Sequence, residues 1–339
     1  MNPRNEKPSG RPVVSVLIPT CDRKPSLSQC LRSLARQTYR NFEVVILDGG
    51  STDGTEQVVR DYGNSLRIRF LMQEDGLVPR MNVGYRMSKG DIVVRTDDDV
   101  QADPHWLEEI VGTFGRDAKV GGVTGPTLVP SERLAFRDVF TFVRGQPDKA
   151  LMRLVKALYW SILMEGRPFD VGHIFRSGAW AVGSNFPGCL KIPNPICVDT
   201  LEACNMALRK NLVHIVGGLD DEYKSVAEWS EIDLCFRIRR LGYLLIFNPK
   251  AIVHHMVSRA GPYVQRSFAY DRMLNQVYFY ATHIKANTAD KAIRFALYLA
   301  LLNGYWLYKY GLTGNTDYLT GLTGTLRGLT RHMSRLVGT

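Results

Sequence analysis

Paired cysteines are missing from this chain. Its six cysteines, Cys21, Cys30, Cys189, Cys197, Cys204 and Cys235, form no C-x-x-C pair and no His–Cys run with metal-ligand spacing, so a zinc ribbon or a thioredoxin-type redox motif is excluded. In largely apolar surroundings they read as buried, reduced thiols. Glycine-rich phosphate loops are missing too. No G-x-G-x-x-G follows the first predicted strand and no G-x-x-x-x-G-K-[ST] occurs, which argues against a dinucleotide fingerprint and a P-loop. The apolar stretch from Ala289 to Tyr310 is interrupted by Lys291, Arg294, Asn303 and Lys309, leaving no uncharged span of roughly 18–20 residues for a membrane crossing. No secretory signal is apparent: Met1 to Arg11 is polar and expected to be disordered, and a cytoplasmic location is expected.

What is present suits an ordinary globular protein of one large domain or two. The 339 residues are 45% hydrophobic and 22% charged, enough for a substantial core. The net charge is +10, and from Ala251 onward ten Lys or Arg face only three Asp. A basic end of this kind suits anionic lipid head groups or an anionic substrate. No aromatic-basic module of an RNA- or DNA-binding type accompanies it, so no nucleic-acid partner is expected.

The first third alternates between two periods. Strands are predicted at 12–20, 42–47, 66–72 and from Gly90, with helices over Lys24 to Thr38, Glu56 to Tyr62 and Leu77 to Ser88. Such alternation is the pattern of a parallel sheet covered by helices on both faces. Ligands bind such sheets beyond the carboxyl ends of the strands, where Thr20–Arg23, Asp48–Ser51 and Asp97–Asp99 all fall. Taken singly, Asp48 and Asp53 are ordinary turn residues in Gly-rich settings; their shared placement points to one crevice.

The stretch Gly90 to Val100 is the most informative. A β-branched run, Ile92-Val93-Val94, leads into Asp97, Asp98 and Asp99. Three adjacent carboxylates repel one another and are costly to desolvate without a cation. Strand alternation would point Asp97 and Asp99 one way and Asp98 the other. Two hard oxygen ligands on one side suit Mg²⁺ or Mn²⁺. A polar loop capping the next helix, with Asp103 as cap and Pro104 in its first turn, is the simpler alternative.

In order and spacing, several segments resemble glycosyltransferase family 2: Val16-Leu17-Ile18-Pro19-Thr20 with Arg23, Asp48-Gly49-Gly50-Ser51-Thr52-Asp53-Gly54-Thr55, Arg80-Met81-Asn82-Val83-Gly84, and Lys89-Gly90-Asp91 leading to Asp97-Asp98-Asp99. The resemblance implies an α/β GT-A fold, with a mostly parallel central sheet between helices and a helical C-terminal extension. It also implies a nucleotide-sugar donor (UDP-, GDP- or dTDP-linked), a divalent cation at the D-x-D site and inversion at the anomeric carbon. On this basis Pro19, Thr20 and Arg23 line the nucleotide pocket, Asp48 contacts the base and Ser51 lies near the ribose. Arg80 and Asn82 belong to the donor pocket, Asp97 reaches the ribose, Asp98 counts among the donor contacts, and Asp99 holds the metal. Gly49 stands where the family usually has a second Asp.

Later segments extend the resemblance. Val198 to Arg209 and Val216 to Glu222 border acceptor and donor sugar in the family, which assigns Glu202 and Asn205 to the acceptor side, where the resemblance also places Trp229. Glu228-Trp229-Ser230-Glu231-Ile232-Asp233-Leu234 occupies the place of the family's Glu-Asp-x-Asp-Leu. Glu231 is therefore the expected catalytic base, with Glu228 and Asp233 in reserve; a buried carboxylate beside a hydroxyl can take its proton as the oxygen attacks. His255, closing the strand run before it, matches a histidine that completes the metal site or touches the diphosphate.

The expected organisation is a disordered segment 1–11, a GT-A domain 12–258 and a basic, aromatic-rich helical extension 259–339. Within the domain, 12–128 forms the nucleotide-sugar half and 129–258 the acceptor half, with an insert over 129–195. In that insert Lys149 to Met164 carries an apolar helical face for core packing or membrane contact. Ala289 to Tyr310 suits an amphipathic helix on a membrane, with Trp306 at the interface, or a docked core helix. Gly311 to Gly328 reads as a loop or broken helix. The expected activity is metal-dependent transfer to a glycan or polyprenyl-linked acceptor in surface polysaccharide or glycoconjugate assembly, at the inner face of an anionic membrane. The competing expectation is a degenerate relative that binds glycan or membrane without transfer.

Overall fold

A computed structural model describes residues 13–131, 139–225, 228–258 and 268–337; the segment 1–11 lies outside them. The chain divides into two compact units. The first comprises Met1–Pro130, Ser184–Asp221 and Leu234–Val264, and the second Ser131–Gly183, Glu222–Asp233 and Gln265–Thr339. Residues 131–183 of the insert thus share a unit with the helical C-terminal stretch, while 184–195 belong to the first unit.

The described strands are, in chain order, β1 (Val14–Thr20), β2 (Phe42–Asp48), β3 (Ile68–Met72), β4 (Ile92–Arg95), β5 (Val100–Ala102), β6 (Val120–Thr124), β7 (Thr127–Leu128), β8 (Val171–Ile174), β9 (Trp180–Val182), β10 (Ile196–Val198), β11 (Met206–Arg209), β12 (Leu244–Phe247) and β13 (Val253–His255). Helices α1 (Lys24–Ala35), α2 (Thr55–Tyr62) and α3 (Leu77–Met87) alternate with the first four strands, and α4 (Trp106–Arg116) follows β5.

In the first unit eight strands make one sheet, in the order β10-β12-β6-β11-β4-β1-β2-β3. β1 lies parallel between β2 and β4, whereas β11 runs antiparallel between β4 and β6. The apolar runs of β1 and β2 are buried on both faces, as helices on either side of a parallel sheet require. Val14, Val16 and Ile18 join Val44 and Ile46 in a core shared with Leu27, Leu31 and Trp106. On the other face α3 comes close to the sheet at Gly84, where a Cβ would lie 2.6 Å from a methyl of Leu47. A second, three-stranded sheet, β5-β13-β7, pairs His255 antiparallel with Val100. That register brings the end of β13 beside the Asp97–Asp99 turn.

The second unit is mainly helical. Of the loop or broken helix expected over Gly311 to Gly328, the structure shows a broken helix: one helix ends at Thr313, a 3-10 turn covers Thr316–Leu319, and the helix Thr320–Val337, kinked at His332, follows. The glycines are spaced for one helical face, and a Cβ at Gly324 would stand 2.3 Å from the Tyr270 carbonyl oxygen, one at Gly328 2.8 Å from Val277. They read as loop-formers in sequence but here let two helices approach closely. The apolar C-terminal stretch forms one helix, Ala289–Thr313; Trp306 on it is buried rather than interfacial, stacked on Tyr318. Among the described residues no helix is long and apolar enough to cross a membrane.

Asn205 shows how the first unit is cross-braced. Fully buried, it accepts a 2.8 Å hydrogen bond from Trp106 Nε1 and donates to the carbonyls of Pro126 (3.2 Å) and Ala251 (2.9 Å). Truncation would leave a buried indole N–H and two carbonyls to find new partners, each at a cost of about 1–3 kcal/mol. Asn205→Ala is expected to lose at least roughly 2 kcal/mol of unfolding free energy in urea titrations; a loss under about 0.5 kcal/mol would contradict this bracing role.

Candidate active site

Three strand ends of the first unit supply the polar groups. β1 ends at Thr20 and enters α1 through Cys21-Asp22-Arg23; β2 ends at Asp48; β4 leads into Asp97–Asp99. The first two loops are laced together. Ser51 Oγ accepts from the Asp22 backbone N–H (2.8 Å), Asp22 Oδ1 from that of Thr52 (2.7 Å), and Asp53 Oδ2 from that of Lys24 (2.8 Å). Asp53 also accepts from the backbone and hydroxyl of Thr55 at the start of α2. Asp48 is buried, and its Oδ1 takes the backbone N–H groups of Gly50 (2.9 Å) and Ser51 (2.7 Å), which shapes the turn.

The Asp97–Asp99 segment is a turn between β4 and β5 rather than a strand end, so strict alternation does not govern it. Asp98 and Asp99 share one cation. Arg23 lies 2.8 Å from Asp98 Oδ1 and 2.6 Å from Asp99 Oδ2. Thr20 Oγ1 donates to Asp98 Oδ2 at 2.7 Å, and the Ser258 N–H to Asp99 Oδ2, also at 2.7 Å. Burial pushes the Asp98 carboxyl up to about 7, against the pull of Arg23. Burial acts on Asp99 in the same sense but is outweighed by His255, Arg23 and the Ser258 N–H, which hold it well below the usual carboxylate range.

Asp97, Asp99 and His255 bring one ligand atom each within 4.8 Å of one another. Asp99 Oδ1 lies 3.1 Å from His255 Nε2 yet is buried without a well-aligned hydrogen bond. A buried oxygen facing a second carboxylate and an imidazole nitrogen fits a divalent cation. The other ring nitrogen, Nδ1, is 3.6 Å from Cys204 Sγ, a contact that steadies the ring. Burial disfavours the imidazolium, but the Cys204 sulfur and Asp99 outweigh it, and the His255 pKa stands well above its ordinary value.

Other expected site residues have specific local partners. Arg80 is buried, donates from Nη1 to the Thr20 carbonyl (3.2 Å) and lies across Gly49. A Cβ at Gly49 would fall 2.3 Å from that Nη1, so the guanidinium fills the room a second Asp side chain would take. Asn82 spends both ends of its amide on the Leu219 backbone, donating to its carbonyl (2.9 Å) and accepting from its N–H (2.8 Å). Pro19 is half-buried in β1 beside Leu47. Glu202 is buried and accepts the Ser184 hydroxyl.

In the second unit, Glu231 is buried in the first turn of the helix Ser230–Arg240. Just before it Trp229 adopts φ +79° and stacks on Phe279 at 4.9 Å, a strained geometry that bulky residues rarely keep without reason. Of the reserves, Glu228 pairs with Arg272 at 2.9 Å, and Asp233 is closed off by His283 Nε2 at 2.6 Å, both groups fully buried. The partnership of Arg23 with the acidic turn, the Ser258 N–H and the Cys204–His255 contact were not anticipated.

Residues 15–157 match the family model described as glycosyl transferase family 2. This stretch is a family 2 glycosyl transferase domain. Validoxylamine A glucosyltransferase of Streptomyces hygroscopicus subsp. jinggangensis is 32% identical over 154 residues, covering 44% of this chain and 36% of that protein. The first four curated relatives are matched over only 24% to 36% of their own lengths. Glucosyl-dolichyl phosphate glucuronosyltransferase of Haloferax volcanii is 29% identical over 243 residues, 68% of this chain and 75% of that one. Among solved structures, the mannosyltransferase PcManGT from Pyrobaculum calidifontis in complex with GDP-Man and Mn²⁺ aligns with TM-score 0.53 and 18% identity, over 98% of this chain and 89% of that one. The fold is GT-A, as the motifs of this family 2 domain imply.

Because the raised pKa keeps a proton on His255 near neutrality, a metal ion taking Nε2 must displace it. Mn²⁺ titrations by calorimetry are expected to show proton release and tighter binding as pH rises from about 6 to about 8. In His255→Gln that part of the pH dependence should vanish. Affinity independent of pH in the unaltered chain would contradict the assignment.

Proposed function

We propose that this chain transfers a sugar from a nucleotide-sugar donor to an acceptor hydroxyl with inversion at the anomeric carbon. The observation that carries this reading is the meeting of Asp97, Asp99 and His255 at the strand ends of a GT-A fold. The neighbour bound to GDP-Man and Mn²⁺ supports it. Asp97, Asp99 and His255 would hold Mg²⁺ or Mn²⁺, which when bound supplies positive charge for the departing diphosphate.

The chain's own groups do the rest. The laced loops after β1 and β2 present Pro19, Thr20 and Ser51 to the nucleotide, and Asp48 fixes the turn that does so. Arg23 and Arg80 add fixed positive charge where the diphosphate leaves. Arg23 also keeps Asp98 and Asp99 from repelling each other. Glu231 accepts the proton of the acceptor hydroxyl as that oxygen attacks. The acceptor is a glycan or a polyprenyl-linked sugar, a reading favoured by the relative named for glucosyl-dolichyl phosphate. Such an acceptor places the enzyme at the cytoplasmic face of a membrane, in glycoconjugate assembly.

A panel of UDP, GDP and dTDP sugars with Mn²⁺ would first be screened for thermal stabilisation. With the stabilising donor, Asp99→Ala should abolish metal-dependent turnover. Glu231→Gln should keep donor binding and lose transfer by about 10²–10⁴-fold. Full activity in Glu231→Gln, or its loss only in Glu228→Gln, would overturn the base assignment.

A further inference from the structure

Glu231 sits in the first turn of the helix Ser230–Arg240, and the chain that leads into it has a strained backbone. Ser225 holds φ +60° and Trp229 φ +79°. Residues other than glycine keep such left-handed conformations only where their surroundings impose them. Here the imposing element is a helix of the same unit, Ala269–His283.

That helix meets the stretch turn after turn. Arg272 Nη1 lies 2.9 Å from Glu228 Oε1. Asn275 is buried and spends its amide on the Lys224 backbone, donating to the carbonyl (3.2 Å) and accepting from the N–H (3.4 Å). The Tyr278 ring packs on Tyr223 at 5.1 Å, and Phe279 stacks on Trp229 at 4.9 Å. His283 Nε2 stands 2.6 Å from Asp233 Oδ1, with both side chains shut away from solvent. Arg272, Asn275, Phe279 and His283 are three or four residues apart, so they form one stripe along the helix.

These contacts bracket Glu231. Trp229 lies two residues before it, and the Trp229 carbonyl accepts the Asp233 N–H at 2.8 Å. Asp233 lies two residues after it, about 200° around the helix. The pair with His283 therefore pins the side of the helix opposite Glu231. A pair buried this deeply is a weak source of net stability; what it supplies is a fixed register.

We propose that, on the reading of Glu231 as the base, the helix Ala269–His283 is its positioning element, with Phe279 and His283 as positioning residues. Held from outside on a strained path, the Glu231 carboxylate is in place before the acceptor arrives, and no reordering slows the proton transfer. This part of the C-terminal extension then belongs to the catalytic apparatus.

The full chain would be compared with His283→Leu, His283→Gln and Phe279→Leu, using the donor chosen from the nucleotide-sugar panel, Mn²⁺ and a polyprenyl-linked sugar. Each leucine variant should lower kcat by at least about tenfold and leave the donor KM within about twofold. His283→Gln, whose amide nitrogen can stand where Nε2 does, should recover most of the loss. Hydrogen exchange followed by mass spectrometry should quicken over 222–233 in both leucine variants, and not over β1 to β4. Phe279→Leu keeps an apolar side chain, so it carries the test even where His283→Leu fails to fold. Unchanged kcat in both leucine variants would overturn the proposal, and so would faster exchange throughout the chain with no recovery in His283→Gln. Lost transfer in Glu231→Gln beside unchanged helix variants would leave the base standing and overturn the positioning alone. Full transfer by Glu231→Gln, with exchange over 222–233 still quickened by the helix variants, would overturn the base and with it the catalytic role of the helix.

Discussion

Asp97, Asp98 and Asp99 occupy one turn, and the last two are buried. Two like charges about 4–5 Å apart repel by roughly 3–4 kcal/mol at an effective dielectric near 20, before any cost of desolvation. The neighbourhood is built to offset this. Arg23 spans Asp98 and Asp99, Thr20 donates to one, the Ser258 N–H donates to the other, and His255 faces Asp99. These groups come from the loop after β1, from the end of β13 and from the chain just beyond it. The acidic turn therefore ties together elements far apart in sequence, and its charge balance is a condition for the fold around it as well as for chemistry.

The same arrangement draws a histidine to the acidic turn through strand pairing. β13 pairs with β5 so that His255 stands opposite Val100, one residue beyond Asp99. The register of a short sheet thus brings an imidazole nitrogen close to two carboxylates. Cys204 holds the back of the ring, and Thr96 Oγ1 bonds the Cys204 carbonyl at 2.9 Å. The imidazole is thus steadied from behind by contacts of the kind that orient ligands in metal sites.

Much of the first unit was legible because its signals are local. β-branched runs ending in polar turns mark β1, β2 and β4, and helical spacing of Leu27, Leu31 and Leu34 marks α1. The antiparallel insertion of β11 between β4 and β6 has no such signature, since pairing between distant segments leaves no period in the chain. The glycines of 311–328 left loop and broken helix both open for a physical reason: the residue that loosens a turn also permits close helix contact, and sequence alone does not say which. For 150–157, an apolar helical face has the same appearance whether covered or bare. The acidic run and His255 were visible in sequence, as were Arg23 and Arg80 as donor-pocket expectations. The contacts of the two arginines, one between two carboxylates and one over Gly49, came only from where their guanidinium groups lie.

The central claim is that Asp97, Asp99 and His255 are ligands of one ion. Crystals grown with Mn²⁺ and a nucleoside diphosphate, measured at the manganese absorption edge, test it most directly. An anomalous peak about 2.0–2.6 Å from carboxylate oxygens of both Asp97 and Asp99, and bonded to His255 Nε2, is the predicted result. A peak elsewhere in the molecule, with Arg23 still bridging Asp98 and Asp99 and no metal beside them, would contradict the account.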